Sequence, residues 1–226
     1  MSLLINRYAY HNLERTLVAG KRLYVSPDGK SLPSVTTILD STKDKTHLKE
    51  WRARVGEEQA NLITKEASGI GARMHKYLEK YVTTGVWPEA GSNPYAKQAY
   101  DMAHIVKNNA VDHMDEIWGS EISLYYPEIY AGTTDIICSY NGAPAICDFK
   151  QANKMKLREW IQDYFLQLAA YAEAHNKVYN TNIQHGYIFM CSRDMQFKQF
   201  EIDSVSYRKY ADSWWRRVEH YYNKQN

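Results

Sequence analysis

The chain reads as an α/β protein because two periodicities alternate along it. Apolar and polar residues alternate in the manner of strands over residues 121–126, 130–150, 186–191 and 196–202. Apolar residues recur every three or four positions, as in helices, over residues 46–81, 95–115, 157–179 and from Ser206 onward. An Asn141-Gly142 pair in the middle of one alternating stretch marks a tight two-residue reversal between paired strands.

Composition bounds the rest. The 226 residues are enough for one domain with a sizeable core. A hydrophobic fraction of 44% and a charged fraction of 24% belong to a globular protein and exclude a disordered one. A net charge of +2 means that any contact with nucleic acid must come from local clustering of basic residues. The 19 tyrosines and 6 tryptophans supply rings suited to cores and to stacking on bases. Cys138, Cys147 and Cys191 lack C-x-x-C spacing and read as buried reduced thiols of an intracellular protein. The N-terminal residues carry neither a signal nor a transit pattern, and no stretch is long and apolar enough for a membrane span. The expectation is a soluble, cytoplasmic protein without a membrane partner.

Residues 22–32 form a predicted hairpin around Ser26-Pro27-Asp28-Gly29-Lys30, and Ser34 caps a helix running to Leu39. The helical stretch 46–81 is expected to break near Ser68-Gly69. Lys43, Lys45, Lys49, Arg52 and Arg54 near its start make either a solvated face or an edge that tracks phosphates. Gly71, His75 and Glu79, four apart, share one helix face. The Gly/Pro/Ser-rich residues 85–94 separate an N-terminal hairpin and helical lobe, residues 1–92, from a core of residues 93–226. Glu121 opens the next strand as either a third carboxylate or a water-facing edge residue. Asp163, Gln167 and Tyr171 recur every four residues as a polar stripe on an otherwise apolar helix, and such a stripe needs partners.

The central hairpin carries the chemistry. If Tyr140 faces Ala143 across Asn141-Gly142, Asp135 falls opposite Asp148 on the same face, their Cα atoms about 5 Å apart. Opposed carboxylates repel, and a hard divalent cation such as Mg²⁺ or Mn²⁺ would compensate them. Lys150 points to the same side as Asp148, while Phe149 points to the opposite, buried face.

The ordered series Gly71-x-x-x-His75-x-x-x-Glu79, Gly132-x-x-Asp135, Asp148-x-Lys150 and Gln167-x-x-x-Tyr171 resembles the RecB-type branch of the PD-(D/E)XK nuclease superfamily. Within that branch the likeness is to phage-type exonucleases and the exonucleases of mitochondrial genome maintenance. It spans Pro33 to the C-terminus, with Pro33-Ser34-Val35-Thr36 as a further shared element. The resemblance implies a restriction-endonuclease-like core: a mixed central sheet flanked by helices, with a helical lobe over the cleft. It implies hydrolysis of DNA, from free single-stranded ends, with Mg²⁺ or Mn²⁺ as cofactor. Asp135, Asp148 and Lys150 would be catalytic; His75, Asp135, Asp148 and the backbone carbonyl of Phe149 would hold the metal, with Glu121 or Glu79 as an additional acid. Gln167, Tyr171, Lys154 and Arg73 would contact the strand. Gln151 stands where the family often has Thr or Ser, and the cysteines of the iron–sulfur subgroup are absent from the pattern. Small size without an attached helicase suits a virus-encoded or stand-alone enzyme. A structure-specific endonuclease and a non-cutting nucleic-acid-binding module are the two alternatives on the same residues.

Overall fold

The computed structural model describes residues 2–224. Their order is β1 (Glu14–Val18), β2 (Lys21–Val25), β3 (Ser31–Pro33), α1 (Val35–Thr42), α2 (Thr46–Val55), α3 (Glu57–Thr84) and α4 (Pro94–Asn109). There follow β4 (Met114–Tyr126), β5 (Tyr130–Tyr140), β6 (Ala143–Ala152), α5 (Gln162–Tyr179), β7 (His185–Ser192), β8 (Phe197–Ile202) and α6 (Ser204–Asn223). Short 3₁₀ turns at Val111–His113 and Arg158–Ile161 precede β4 and α5.

β4 to β8 lie side by side in sequence order, antiparallel except for β6 and β7, which run parallel. A parallel neighbour cannot be reached by a hairpin, and α5 supplies the crossover. Alternation along the strands sends side chains to two cores. Ile136, Cys138, Cys147 and Phe149 pack with Ile70, Met74 and Leu78 of α3 and Met102 and Val106 of α4. Ile137, Ile146, Ile188 and Met190 pack on the other face with Phe165 and Leu168 of α5 and Trp214 of α6. The expected mixed sheet with helices on both faces is therefore present. The three cysteines are buried and unbonded, and no helix among the described residues is long and apolar enough to cross a membrane.

Several boundaries differ from the sequence expectation. The helical stretch 46–81 is interrupted at Gly56, not at Ser68-Gly69: Gly56 sits at φ 86, a conformation glycine enters without a Cβ clash, and α3 continues unbroken to Thr84. Gly69 costs α3 about 1 kcal/mol of helix propensity. Burial of Ile70 and Met74 directly after it offsets that cost. The helix expected over residues 95–115 stops at Asn109, because Ala110 leaves helical geometry (φ −136) and the chain turns into β4 at Met114. α6 begins at Ser204. Asp203 caps it by accepting the Ser206 amide at 2.8 Å, so Ser206 is its third residue and not its first.

β1 has no counterpart in the sequence reading. It joins the predicted β2–β3 hairpin through a turn whose residues, Ala19 (φ 49) and Gly20 (φ 76), are both left-handed. Alanine rarely adopts that conformation, so the usual signal was missing. This three-stranded sheet rests on the start of β5 through Leu13, Tyr24, Leu32 and Ala131, and Tyr24 Oη lies 3.0 Å from Thr133 Oγ1.

The N-terminal segment crosses to the α5 side and closes over His175, which is fully buried against Tyr8, Tyr10 and Tyr179. The two ring nitrogens meet Thr181 Oγ1 at 2.8 Å and Tyr10 Oη at 3.2 Å. Burial lowers the His175 pKa from 6.5 to about 4. The unfolded chain therefore takes up a proton below pH 6.5 that the folded chain refuses. Stability falls as pH drops from about 6.5 toward 4, by up to about 3 kcal/mol. Urea midpoints measured across that range should decline less steeply in His175→Gln than in wild type; parallel declines would refute the assignment.

Candidate metal centre

The β5–β6 hairpin has the register read from its turn. Asn141 (φ 53) and Gly142 (φ 75) are both left-handed, as a type I′ reversal requires. The ladder runs from Tyr140 opposite Ala143 to Ile136 opposite Cys147. Asp115 fixes the reversal, its Oδ2 accepting from the Gly142 amide at 2.8 Å and from Ser139 Oγ at 3.1 Å.

One position further the ladder ends, and a side chain takes its place. Asp135 Oδ2 accepts the Phe149 amide at 2.7 Å, so β5 and β6 part at this point. On its other flank Asp135 faces a second irregularity. β4 pairs with β5 at Ser120 and Ile122 but not at Glu121, which is held at φ 53. A non-glycine residue in that region costs on the order of 1–2 kcal/mol. The twist carries the Glu121 carboxylate to the mouth of the fork.

α3 brings His75 to the same place. Its Nε2 lies 2.8 Å from the Phe149 carbonyl, and its Nδ1 lies 3.3 Å from Asp135 Oδ1 and 3.9 Å from Glu121 Oε1. Single ligand atoms of His75, Glu121 and Asp135 all fall within 4.8 Å of one another. This donor set, one imidazole nitrogen and two hard carboxylate oxygens, could hold a metal ion. A backbone carbonyl on the far ring nitrogen is the usual device for orienting a ligating histidine. The Phe149 carbonyl, expected as a ligand, is engaged in this way with His75 Nε2.

Charge here is balanced from within the chain. Burial would lower the His75 pKa, but the Asp135 carboxylate outweighs it and raises it to about 10, so in the metal-free chain the ring carries a proton that an ion bound at Nδ1 would displace. Burial likewise works against ionised Asp135 and is overcome by His75, Lys150 and the Phe149 amide, which hold its pKa below the ordinary value. Asp148 is only 2% exposed; burial and the Asp135 charge push it up to about 6, against the pull of Lys150. Lys150 Nζ sits directly against Asp148 Oδ2, in a contact ionic rather than well aligned as a hydrogen bond. The opposed acids inferred from the hairpin thus have His75 and Lys150 as their present counter-charges.

α5 lines the other side of Lys150. The ammonium lies 3.5 Å from Gln167 Oε1 and 4.9 Å from the centre of the Tyr164 ring. Gln167 Nε2 donates to Tyr171 Oη at 3.2 Å. Tyr171 is buried and its ring lies flat on Gly132: a Cβ there would come within 2.7 Å of Tyr171 Cε1, so only glycine fits. Tyr171 is therefore tied to the site through its bond to Gln167. The sequence reading missed Tyr164, although its place three residues before Gln167 puts it on the same helix face. The same ring meets Lys156, whose Nζ lies 3.2 Å from Tyr164 Oη, adding a second cation beside Lys150.

Other predicted positions lie further out. Glu79 follows His75 by one turn on an exposed face; partial burial and the Glu121 charge raise its pKa. Gly71 lets α3 approach β6, with Gln151 Cγ 3.4 Å from where its Cβ would be. Arg73 is not brought to the His75 side; it faces a groove between α3 and the start of α4. Lys154 is exposed in the loop after β6. Among the basic residues near α2, Lys43 pairs with Asp163 at 3.0 Å, Lys45 with Asp40 at 2.8 Å and Arg52 with Glu57. Asp163, read as part of the polar stripe, also holds Arg217 at 3.2 Å and so ties α5 to α6.

No family model matches the chain. It is homologous to Mitochondrial genome maintenance exonuclease 1 of Homo sapiens, 26% identical over 210 residues, covering 86% of this chain and 59% of the human protein. The Mus musculus protein of that name is 26% identical over 208 residues, covering 86% of this chain and 60% of its own length. The chain thus spans about three fifths of these relatives. Among solved structures, a Eubacterium rectale protein named "Putative exonuclease" superposes with a TM-score of 0.49 and 15% identity, over 69% of this chain and 64% of that one.

Proposed function

We propose that this protein is a metal-dependent DNA exonuclease of the PD-(D/E)XK type that acts on free single-stranded ends. The observation that carries the reading is the convergence of His75, Glu121 and Asp135 within 4.8 Å at the fork, beside the buried Asp148–Lys150 pair. Homology to proteins named exonucleases supports the same class of reaction.

His75 Nδ1, Glu121 and Asp135 would hold the ion, with Asp148 as the neighbouring acid. A bound Mg²⁺ or Mn²⁺ would supply charge neutralisation at the phosphate and a more acidic water. The chain's own groups do the rest. Lys150 holds a full positive charge where a phosphodiester gains negative charge during displacement, and in a site this buried such a charge acts strongly. Asp148, Gln167 and Tyr164 fix the ammonium from three sides, so little reorganisation is needed as the charge develops. Lys156, held by Tyr164, would meet the adjacent phosphate.

The test uses end-labelled linear single strands, circular single strands and linear duplex, each with Mg²⁺, Mn²⁺ or chelator. Metal-dependent shortening of the linear single strand with the circle intact is expected. A cut circle replaces the reading with an endonuclease, and no metal-dependent cleavage of any substrate overturns it.

A further inference from the structure

A second groove lies apart from the fork. It lies on the opposite flank of α3, about 690 Å³ in volume, between α3 and the first turn of α4. That is well within the range of ligand-sized clefts. A smaller recess of about 270 Å³ shares Arg73 with it and extends the depression toward the C-terminal half of α3.

The side chains along it follow helical spacing. Leu62, Lys65, Arg73, Lys76 and Lys80 line one stripe of a helix about 42 Å long. Lys65, Arg73 and Lys80 have no acidic partner at ion-pair distance among the described residues. Glu66, the acid beside Lys65, is already engaged by Arg193 at 3.3 Å. Glu89 offsets one charge at the far end, leaving the stripe net positive. The fold leaves two apolar surfaces open here: Tyr95, across the groove on α4, is 51% exposed, and Leu62, on α3 in the same stripe as the cations, is 56% exposed. Tyr95 sits at the second position of α4, where Pro94 and the Asn93 cap, accepting the Ala96 amide at 2.9 Å, hold the backbone rigid.

A row of cations interleaved with an exposed leucine and faced by an exposed aromatic ring suits a chain of phosphates whose bases are free to stack. A duplex would offer its phosphates but not its base faces. The geometry points to this groove as a second binding site of the protein, one that holds single-stranded nucleic acid, with phosphates on Lys65, Arg73, Lys76 and Lys80 and a base on Tyr95. The inference deepens the nuclease reading by giving the uncut part of the strand a place along α3, whose other face carries His75.

The experiment measures binding of a fluorescent oligothymidylate of about twenty nucleotides, longer than typical single-strand site sizes, in chelator so that nothing is cut. Tyr95→Ala should bind about tenfold more weakly, and Tyr95→Phe, which keeps the ring, should bind like wild type. Lys65→Ala/Lys80→Ala should flatten the dependence of log affinity on log salt by about 1.4, or about 0.7 per lost phosphate contact. Wild-type affinity and salt slope in both Tyr95→Ala and the double lysine variant would overturn the proposal. So would blunt duplex that competes as well as a single strand. Wild-type cleavage with Mn²⁺ is measured alongside. Binding that depends on Tyr95 without cleavage leaves the groove and removes the nuclease; cleavage with binding indifferent to Tyr95 and to the two lysines does the reverse.

Discussion

Lys150→Met is expected to lower metal-dependent cleavage by about a thousandfold while leaving the sheet folded, the upper range for removing one preorganised charge from a transition state. Methionine keeps an unbranched apolar stem and loses the ammonium together with its contact over the Tyr164 ring. The loss also strands Asp148, which is buried and would keep no cation against it. Breaking a buried pair from one side costs about 3 kcal/mol or more, whereas removing both partners costs much less. Asp148→Asn/Lys150→Met should therefore be more stable than Lys150→Met alone, though equally inactive. Turnover of linear single strands and urea denaturation of the three proteins check this together. Cleavage by Lys150→Met within a few-fold of wild type would remove Lys150 from the chemistry.

Asp135→Ala should have the second largest effect, on metal affinity and on stability alike. Its carboxylate accepts the Phe149 amide, balances His75 and contributes to the only group of potential metal ligands found among the described residues. Alanine leaves a buried amide without an acceptor and an imidazolium without its counter-ion, at a cost of about 3 kcal/mol. Asp135→Asn can still accept the amide through its side-chain carbonyl and should recover about 1 kcal/mol of that. Neither variant presents an anion, so both should bind Mn²⁺ about a hundredfold more weakly, as titrated by the EPR signal of the free ion. Undiminished Mn²⁺ binding by Asp135→Asn would place the ion elsewhere.

The hairpin was readable because Asn-Gly fixes both left-handed residues of a two-residue turn, and register then follows by counting. Its end was not readable. The ladder stops at Ile136 and Cys147 because a carboxylate captures the next amide, an event that depends on α3 delivering His75 from far away in the chain. Glu121 stayed undecided for a related reason: alternation assigns a face only while φ stays extended, and here it is 53°. Helix boundaries followed a glycine rule that chose the wrong glycine. Gly56 and Gly69 look alike in sequence, and only the apolar residues after Gly69 pull α3 straight through it. Tyr164 was hidden among core aromatics, since nothing in a helical period distinguishes a ring that packs from one that steadies an ammonium.

With His75 and Lys150 already in place as internal counter-ions, the acids of the fork do not need a dication in order to fold. Stripping metal should halt catalysis yet shift the melting temperature only by whatever binding free energy is forfeited, unlike small zinc domains that collapse on chelation. On the proposed function, such a chain would keep its fold and hold its strand without metal, and the arrival of the ion would start cleavage.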